Sequence, residues 1–254
     1  MATPRKPFQG VTNILRFNWH FYVLAILGII ISLGTGTFLG GMYLQFAIAL
    51  CIAIGWVSIV SLFVSYLIYD ASPLYKLNFT KELFDQNPQL IINIHAGFDE
   101  TSVLLKDKFP ESNVSVFDFY DPKKHTEVSI KRARKAYPAY DGTIEIKTDH
   151  IPFPSASVDQ VYLIFAAHEI RNENERNIFF QDVKRVLKPG GQIILTEHLR
   201  DFNNFMAYTI GFFHFMPKKN WQINFKNADL TCVKEIKSTP FVTTFILEKN
   251  GTTT

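Results

Sequence analysis

Three histidines, His168, His198 and His214, carry side chains able to take or give a proton near neutral pH. Glu197, next to His198, is a candidate partner for one of them. A carboxylate, Asp118, closes a short apolar run, where an acid can accept from both hydroxyls of a ribose. Another apolar run ends in Asn93-Ile94-His95-Ala96-Gly97-Phe98-Asp99, and Gly97 there lets the backbone come close to a bound ligand. The two runs are 25 residues apart, counted from Asn93 to Asp118, which suits one strand-helix-strand unit. The chain has only 2 cysteines, Cys51 and Cys232, far apart in sequence. They offer neither a disulfide framework nor metal-type spacing, and no metal is expected.

The elements that must position these groups follow from hydrophobic periodicity. Strands are predicted at residues 89–94, 114–118, 143–147, 158–165, 192–197, 231–237 and 241–248. Helices are predicted at roughly 99–109, 126–136, 173–187 and 202–215. Strands alternating with amphipathic helices specify a doubly wound α/β domain with a mostly parallel sheet. The last two strands are separated only by Ser238-Thr239-Pro240 and should pair antiparallel. In such a sheet, ligands lie beyond the carboxyl ends of the strands. His168, His198, Asp118 and the Gly97 loop all fall there.

Four further features stand in order downstream: Asp149-His150-Ile151-Pro152-Phe153, the strand opening Val158-Asp159-Gln160-Val161, His168 at that strand's end, and Leu187-Lys188-Pro189-Gly190-Gly191. Together they make residues 89–249 resemble the class I S-adenosylmethionine-dependent methyltransferase family. That resemblance implies a Rossmann-like, doubly wound, mostly parallel seven-stranded sheet whose last strand is antiparallel. It implies S-adenosyl-L-methionine as cofactor. Asn93, His95, Ala96 and Gly97 would form the cofactor loop, with Asp118 on the ribose. Asp149 would accept from the adenine amino group, His150 would shape that loop, and Ile151 and Phe153 would flank the ring. The first loop departs from the family pattern: Asn93 replaces the usual acid, and His95 and Asp99 stand where two glycines are common. Asp99 is also placed to cap the helix that follows.

Residues 17–69 contain no Asp, Glu, Lys or Arg, an uncharged run of 53 residues that suits two membrane spans. They are expected at 21–39 and 43–69 with Gly40-Gly41 as the turn, preceded by a short surface-lying helix within residues 8–18. The division is thus a basic tail (1–20), a transmembrane helical hairpin (21–69), a linker (70–88) and the methyltransferase-like domain (89–250). Arg5, Lys6 and Arg16 flank the first span; the other 23 basic residues are balanced by 23 acidic ones. This places both ends of the hairpin and the domain in the cytoplasm by the positive-inside rule. It also argues against a nucleic-acid-binding face.

Residues 202–216 are unusually apolar, and Phe205 and Phe213 could line an entrance facing the bilayer. The expected protein is therefore an integral membrane methyltransferase. Its acceptor would be a lipid or other membrane-partitioned small molecule, with His168, His198 or His214 as general base. The alternative is a non-catalytic, methyltransferase-like module that docks a membrane complex.

Overall fold

A computed structural model describes residues 5–77 and 88–250. Residues 78–87, the larger part of the expected linker, lie outside the described residues, as do the extreme termini.

Two long helices come first. Helix α1 spans Gln9–Leu39 and α2 spans Gly41–Tyr66. Their backbone departs from helical geometry once, at Asn18 (φ −117°, ψ 19°), so the expected lead-in helix runs into the first apolar segment across a kink. Gly40 and Gly41 both adopt positive φ, 69° and 52°, a region that an L side chain resists, and this reverses the chain within two residues. Close packing of the pair depends on Gly36: a Cβ there would lie 2.5 Å from the Ala47 Cβ. Mean hydropathy reaches 2.1 over the first helix and 2.6 over the second, and most of both surfaces is uncovered by protein. Both are long and apolar enough to cross a membrane.

At its foot, α2 passes into a π-helical turn, Leu67–Ala71. Here Asp70 accepts from the backbone amides of Gly10 and Val11, both at 2.8 Å. A carboxylate on the otherwise unpaired amides of a helix start satisfies donors and opposes the helix dipole. Arg5 adds a bond to the Tyr69 carbonyl at 3.1 Å and an ion pair with Glu100 at 2.8 Å.

The domain carries β1 (Leu90–His95), α3 (Ser102–Lys108), β2 (Asn113–Asp118), α4 (Val128–Ala136), β3 (Ile144–Glu145) and β4 (Val158–Ile164). Then follow α5 (Glu173–Val186), β5 (Leu187–His198), α6 (Phe202–Tyr208), α7 (Lys218–Asn227), β6 (Leu230–Thr239) and β7 (Val242–Lys249). The seven strands form one sheet in the order β3-β2-β1-β4-β5-β7-β6. All neighbours are parallel except those of β7, which runs antiparallel to both β5 and β6. This is the Rossmann-like arrangement the alternation requires, antiparallel last strand included.

Strand alternation sends Ile92, Ile94, Val161, Leu163, Ile193 and Leu195 to one face, packed with Phe179, Phe180 and Trp221. The other face sets Ile91, Tyr162, Ile194 and Ile246 against Leu105 and Phe109. A third cluster joins Val64 and Ile68 at the foot of α2 to Ala207 of α6 and Val242 of β7. Helix α7 has no counterpart among the sequence-derived elements, and the 202–215 helix breaks at Thr209 into a 3-10 turn, Thr209–His214. The Lys188–Gly191 segment is a bulge within β5: β4 advances from Val158 to Gln160 while β5 advances from Leu187 to Gln192.

Replacing Asp70 with alanine should cost about 1–2 kcal/mol of stability. It should also accelerate amide exchange at Gly10 and Val11 in detergent-purified protein. Unchanged exchange at those two amides would refute the capping role.

Candidate active site

At the carboxyl edge of the sheet, the first strand ends on two buried polar groups. Asn93 turns into the head of α3, donating to Ser102 Oγ at 2.7 Å and Thr101 Oγ1 at 3.0 Å. Asp99 Oδ1 accepts the Thr101 and Ser102 amides at 2.8 and 2.9 Å, the capping role expected of it. His95 Nδ1 accepts the Gly97 amide at 3.0 Å, which ties down a loop whose Gly97 has φ 91°. Burial pushes the His95 imidazole below its ordinary pKa, so it stays neutral. Among the described residues, His95 Nε2 and Asp99 Oδ2 are buried and have no hydrogen-bond partner. Ala96 is buried beside them.

Asp118 ends β2 on the adjacent strand, 3% exposed. Its Oδ1 accepts the Tyr120 amide at 2.8 Å, and its Oδ2 pairs with Arg134 Nη1 from α4. Arg134 also lies over the Tyr120 ring at 4.5 Å and fills the space in front of Gly97, where its Nη1 would stand 2.5 Å from an added Cβ. An arginine thus covers the carboxylate expected to meet the ribose. Nothing in the sequence pattern marked it, because Arg134 lies on a short basic helix like any solvated residue.

Asp149 and His150 are exposed. Ile151 is fully buried in the main core and its amide is held by Asp182 Oδ2 at 2.6 Å. Its side chain is thus committed to packing, not to an open face. Phe153 is half-buried against Phe117, with ring centroids 5.8 Å apart.

The three histidines have separate fates. His198 is enclosed between the rings of Phe165 and Phe215, with centroids 5.1 and 4.7 Å away. Its Nε2 meets Tyr69 Oη at 2.7 Å, and its Nδ1 meets the Phe241 carbonyl at 3.0 Å and Asn204 Oδ1 at 3.2 Å. The network assigns the proton to Nδ1, donating to the carbonyl, while Tyr69 donates to Nε2. Burial lowers its pKa to about 4. With both nitrogens engaged inside an aromatic sandwich, His198 cannot serve as the general base; it joins the foot of α2 to the sheet.

His168 sits in a 3-10 turn, Ala167–Glu169, after β4. Its amide and Nδ1 face Glu197 at 3.2 and 2.7 Å, and its Nε2 is 3.4 Å from Glu169 Oε1. Burial opposes its charge, yet Glu197 and Glu169 together raise its pKa to about 10. Glu169 is likewise resisted by burial but drawn down to about 2 by His168, His214 and Arg171. His168 is therefore an imidazolium at neutral pH and holds its proton.

His214, at the end of the 3-10 turn after α6, packs edge-on to His168 with centroids 4.9 Å apart. Burial lowers its pKa, although Glu127 partly compensates. Arg171 Nη2 stands 2.7 Å from its Nδ1, and Glu127 Oε1 is 3.5 Å away. His214 alone of the three is both neutral and partly open, so it is the one fitted to accept a proton. Glu127, Glu169 and Arg171 complete this cluster. Only their spatial convergence with His214 reveals them, since Glu127 precedes α4 and the other two lie between β4 and α5.

Known proteins agree with this architecture. Residues 121–195 match the family described as methyltransferase domain. The matched stretch is that of a methyltransferase domain. A Pyrococcus horikoshii protein of known structure superposes with TM-score 0.53 at 16% identity, over 70% of this chain and 89% of its own. A Nostoc punctiforme protein described as a candidate O-methyltransferase gives 0.52 at 12%, over 76% of this chain and 60% of its own. A SAM-dependent methyltransferase from Methanosarcina mazei gives 0.48 at 16%, over 67% of this chain and 96% of its own. The first two likenesses establish the fold. No curated protein sequence matches the chain.

The family's cofactor is S-adenosylmethionine, and the residues at the methyltransferase strand ends fit it. Gly97 offers backbone without a side chain, Asp118 a buried carboxylate, and His95 Nε2 an unpartnered buried nitrogen. Only Arg134 intrudes, with a flexible side chain that is 32% exposed.

Because the cofactor ribose would compete with Arg134 for Asp118, Arg134→Ala should tighten S-adenosylhomocysteine binding severalfold. Asp118→Ala should weaken it at least tenfold, about 1.4 kcal/mol. Calorimetry on purified protein reads both, and equal affinities in wild type and Asp118→Ala would remove Asp118 from the site. A separate expectation concerns acid stability. Folded His198 titrates at about 4 against an ordinary value of 6.5, so its stabilising neutral form is complete above pH 6.5. That contribution drains away as pH falls towards 4. His198→Phe should flatten this part of the pH-stability curve; a slope identical to wild type would count against it.

Proposed function

We propose that this chain is a membrane-anchored methyltransferase that modifies a lipid or other membrane-partitioned small molecule from the cytoplasmic side. The observation that carries the reading is the position of α6 and the turn after it. This segment packs on the foot of α2 through Ala207 and Tyr208. It leaves Phe202, Phe205, Met206, Ile210 and Phe213 exposed, and it ends at His214 beside His168 and Glu169. A soluble surface rarely gathers so many large apolar side chains without something to cover them. Beside a hairpin suited to span a bilayer, the cover is lipid.

A cavity of about 390 Å³ lies beside α1. It is lined by Arg16, Trp19, Arg132, Lys135 and Ala136. Cations and an indole at the end of an apolar helix suit the anionic headgroup layer, which supports the same orientation.

The cofactor supplies a methyl group already activated on a sulfonium sulfur. What remains for the protein is alignment, exclusion of water and removal of one proton. His95, Gly97 and Asp118 would hold the cofactor at the ends of β1 and β2. Phe205 and Phe213 would pass an apolar acceptor towards the cluster at the end of β4. His214, neutral and partly open, would take the proton of a hydroxyl or ammonium acceptor. His168, held as a cation by Glu197 and Glu169, would orient the acceptor as a hydrogen-bond donor.

Methyl-labelled S-adenosylmethionine incubated with the purified protein and native membrane extract should label an organic-extractable lipid. Phe205→Ser with Phe213→Ser should cut that labelling about tenfold while leaving S-adenosylhomocysteine binding unchanged. Label confined to water-soluble molecules would defeat the lipid reading.

A further inference from the structure

The cluster at the end of β4 has the geometry of a metal site. Its potential donor atoms, one each from His168, Glu169 and His214, all lie within 4.8 Å of one another. Glu169 Oε1 is 3.4 Å from His168 Nε2 and 3.9 Å from His214 Nε2. Donors held about 2.0–2.2 Å from a tetrahedral zinc ion are roughly 3.2–3.6 Å apart. Of the three pairs, His168–Glu169 already has that separation and Glu169–His214 needs a few tenths of an ångström of closure, while the two histidine donors, within 4.8 Å, must also draw together.

The atoms behind the cluster are arranged as they are around ligating imidazoles. A histidine that binds metal through Nε2 commonly directs Nδ1 to a carboxylate, which fixes its tautomer and ring orientation. His168 Nδ1 faces Glu197 Oε2 at 2.7 Å, and His214 Nδ1 faces Glu127 Oε1 at 3.5 Å. Both Nε2 atoms are left to converge on Glu169. A further observation is independent of these distances. Glu169 is 4% exposed, and its Oε2 is buried with no hydrogen-bond partner among the described residues. A buried carboxylate oxygen without a partner is expensive, and a cation would satisfy it.

Two things must yield: the Nε2 proton of His168, which an ion bound there displaces, and Arg171. Arg171 Nη2 stands 2.7 and 3.3 Å from the two His214 nitrogens. Its side chain is 36% exposed, and its Nη1 bond to the His214 carbonyl at 2.6 Å can persist while the other amine turns towards Glu127, already 3.6 Å away.

We propose that His168 Nε2, a carboxylate oxygen of Glu169 and His214 Nε2 bind one divalent transition-metal ion, with a fourth position open towards the acceptor. Two imidazoles and a carboxylate suit zinc, and three protein ligands with an open position are the arrangement of a catalytic ion rather than a structural one. An acceptor oxygen in that position would lose its proton more readily. His214 would then act as ligand in place of base. That role for the open position rests on the methyl-transfer reading; the ion site itself does not.

The test uses the full chain in detergent, freed of affinity tag and stripped with chelator, and titrated with zinc chloride by calorimetry. One ion per chain is expected, and cobalt(II) should give the visible absorption of a four-coordinate site. Glu169→Gln and His214→Ala should each weaken zinc at least tenfold while the circular dichroism spectrum is kept. No saturable uptake, or uptake unchanged in both variants, overturns the proposal. S-adenosylhomocysteine binding is measured on the same metal-free samples. If the cofactor analogue binds and zinc does not, the ion site fails and the methyltransferase reading stands. If zinc binds and the analogue does not, the ion site stands without that reading.

Discussion

Tyr69 and Asp70 are adjacent in sequence and bond in different directions, and the relation between the hairpin and the domain depends on this pair. Tyr69 donates its hydroxyl to buried His198 at the end of β5. Asp70 caps the start of α1 through two amides. Neither bond would be worth much in water, where net contributions are about 0.5–1.5 kcal/mol. Here they sit between packed surfaces, with Val64, Ile68, Ala207 and Val242 on one side and the α1–α2 contact on the other. Tyr69 and Asp70 are half-buried and their partners His198 and Gly10 are buried, so breaking either bond leaves a buried partner unsatisfied. That penalty makes the joint directional and gives the hairpin a fixed orientation on the sheet.

A fixed hairpin has consequences at the strand ends. Phe17 of α1 packs edge-on against Phe98, the residue after Gly97, and against Tyr137 at the end of α4. Arg132 of α4 donates to the Phe17 carbonyl at 2.6 Å. The helix bearing Arg134 and the loop bearing Gly97 are therefore both held by the kinked first helix. Glu100, next to the cofactor loop, receives Arg5, Gln9 and Tyr75 together. The departures of this loop from the family pattern fit such a setting: Asn93 and Asp99 are occupied in building the head of α3. The loop is stiffened from outside by the anchor as well as from within by His95.

The sheet was legible because its central strands, buried on both faces, leave near-continuous apolar runs, and turn-forming residues separate them from the more exposed edge strands β3 and β6. Helix α7 was not, since Lys218–Asn227 is mostly Lys, Asn and Gln, with Trp221 and Phe225 its main buried apolar contacts. Amphipathic periodicity needs more apolar positions than that to register. The strand-end positions of Gly97, Asp118, His168 and His198 were legible, but the structural role of His198 was not. The site was not legible in Arg134, Arg171 or Glu127, which reach their positions from helices and a loop by tertiary packing. Glu197, anticipated as partner to one of the histidines, serves His168 across the strand ends and not its neighbour His198, because successive residues of a strand face opposite sides.

These elements give the hairpin a role beyond holding the domain near a surface. Were it a simple tether, the segment between span and sheet would be free of specific contacts and the apolar residues of α6 would face inward. Instead α2 ends on α6, and α6 leads directly to His214, so the same segment touches the anchor at one end and the reactive cluster at the other. The exposed Phe213 stands immediately before that histidine. An acceptor whose tail stays among lipid chains could therefore bring its head group to His214 while crossing only the width of one short helix. Under the proposed function, the hydrophobic cost of extracting a whole lipid into water would be avoided. That economy is what a rigid, paired-helix anchor supplies and a flexible linker does not.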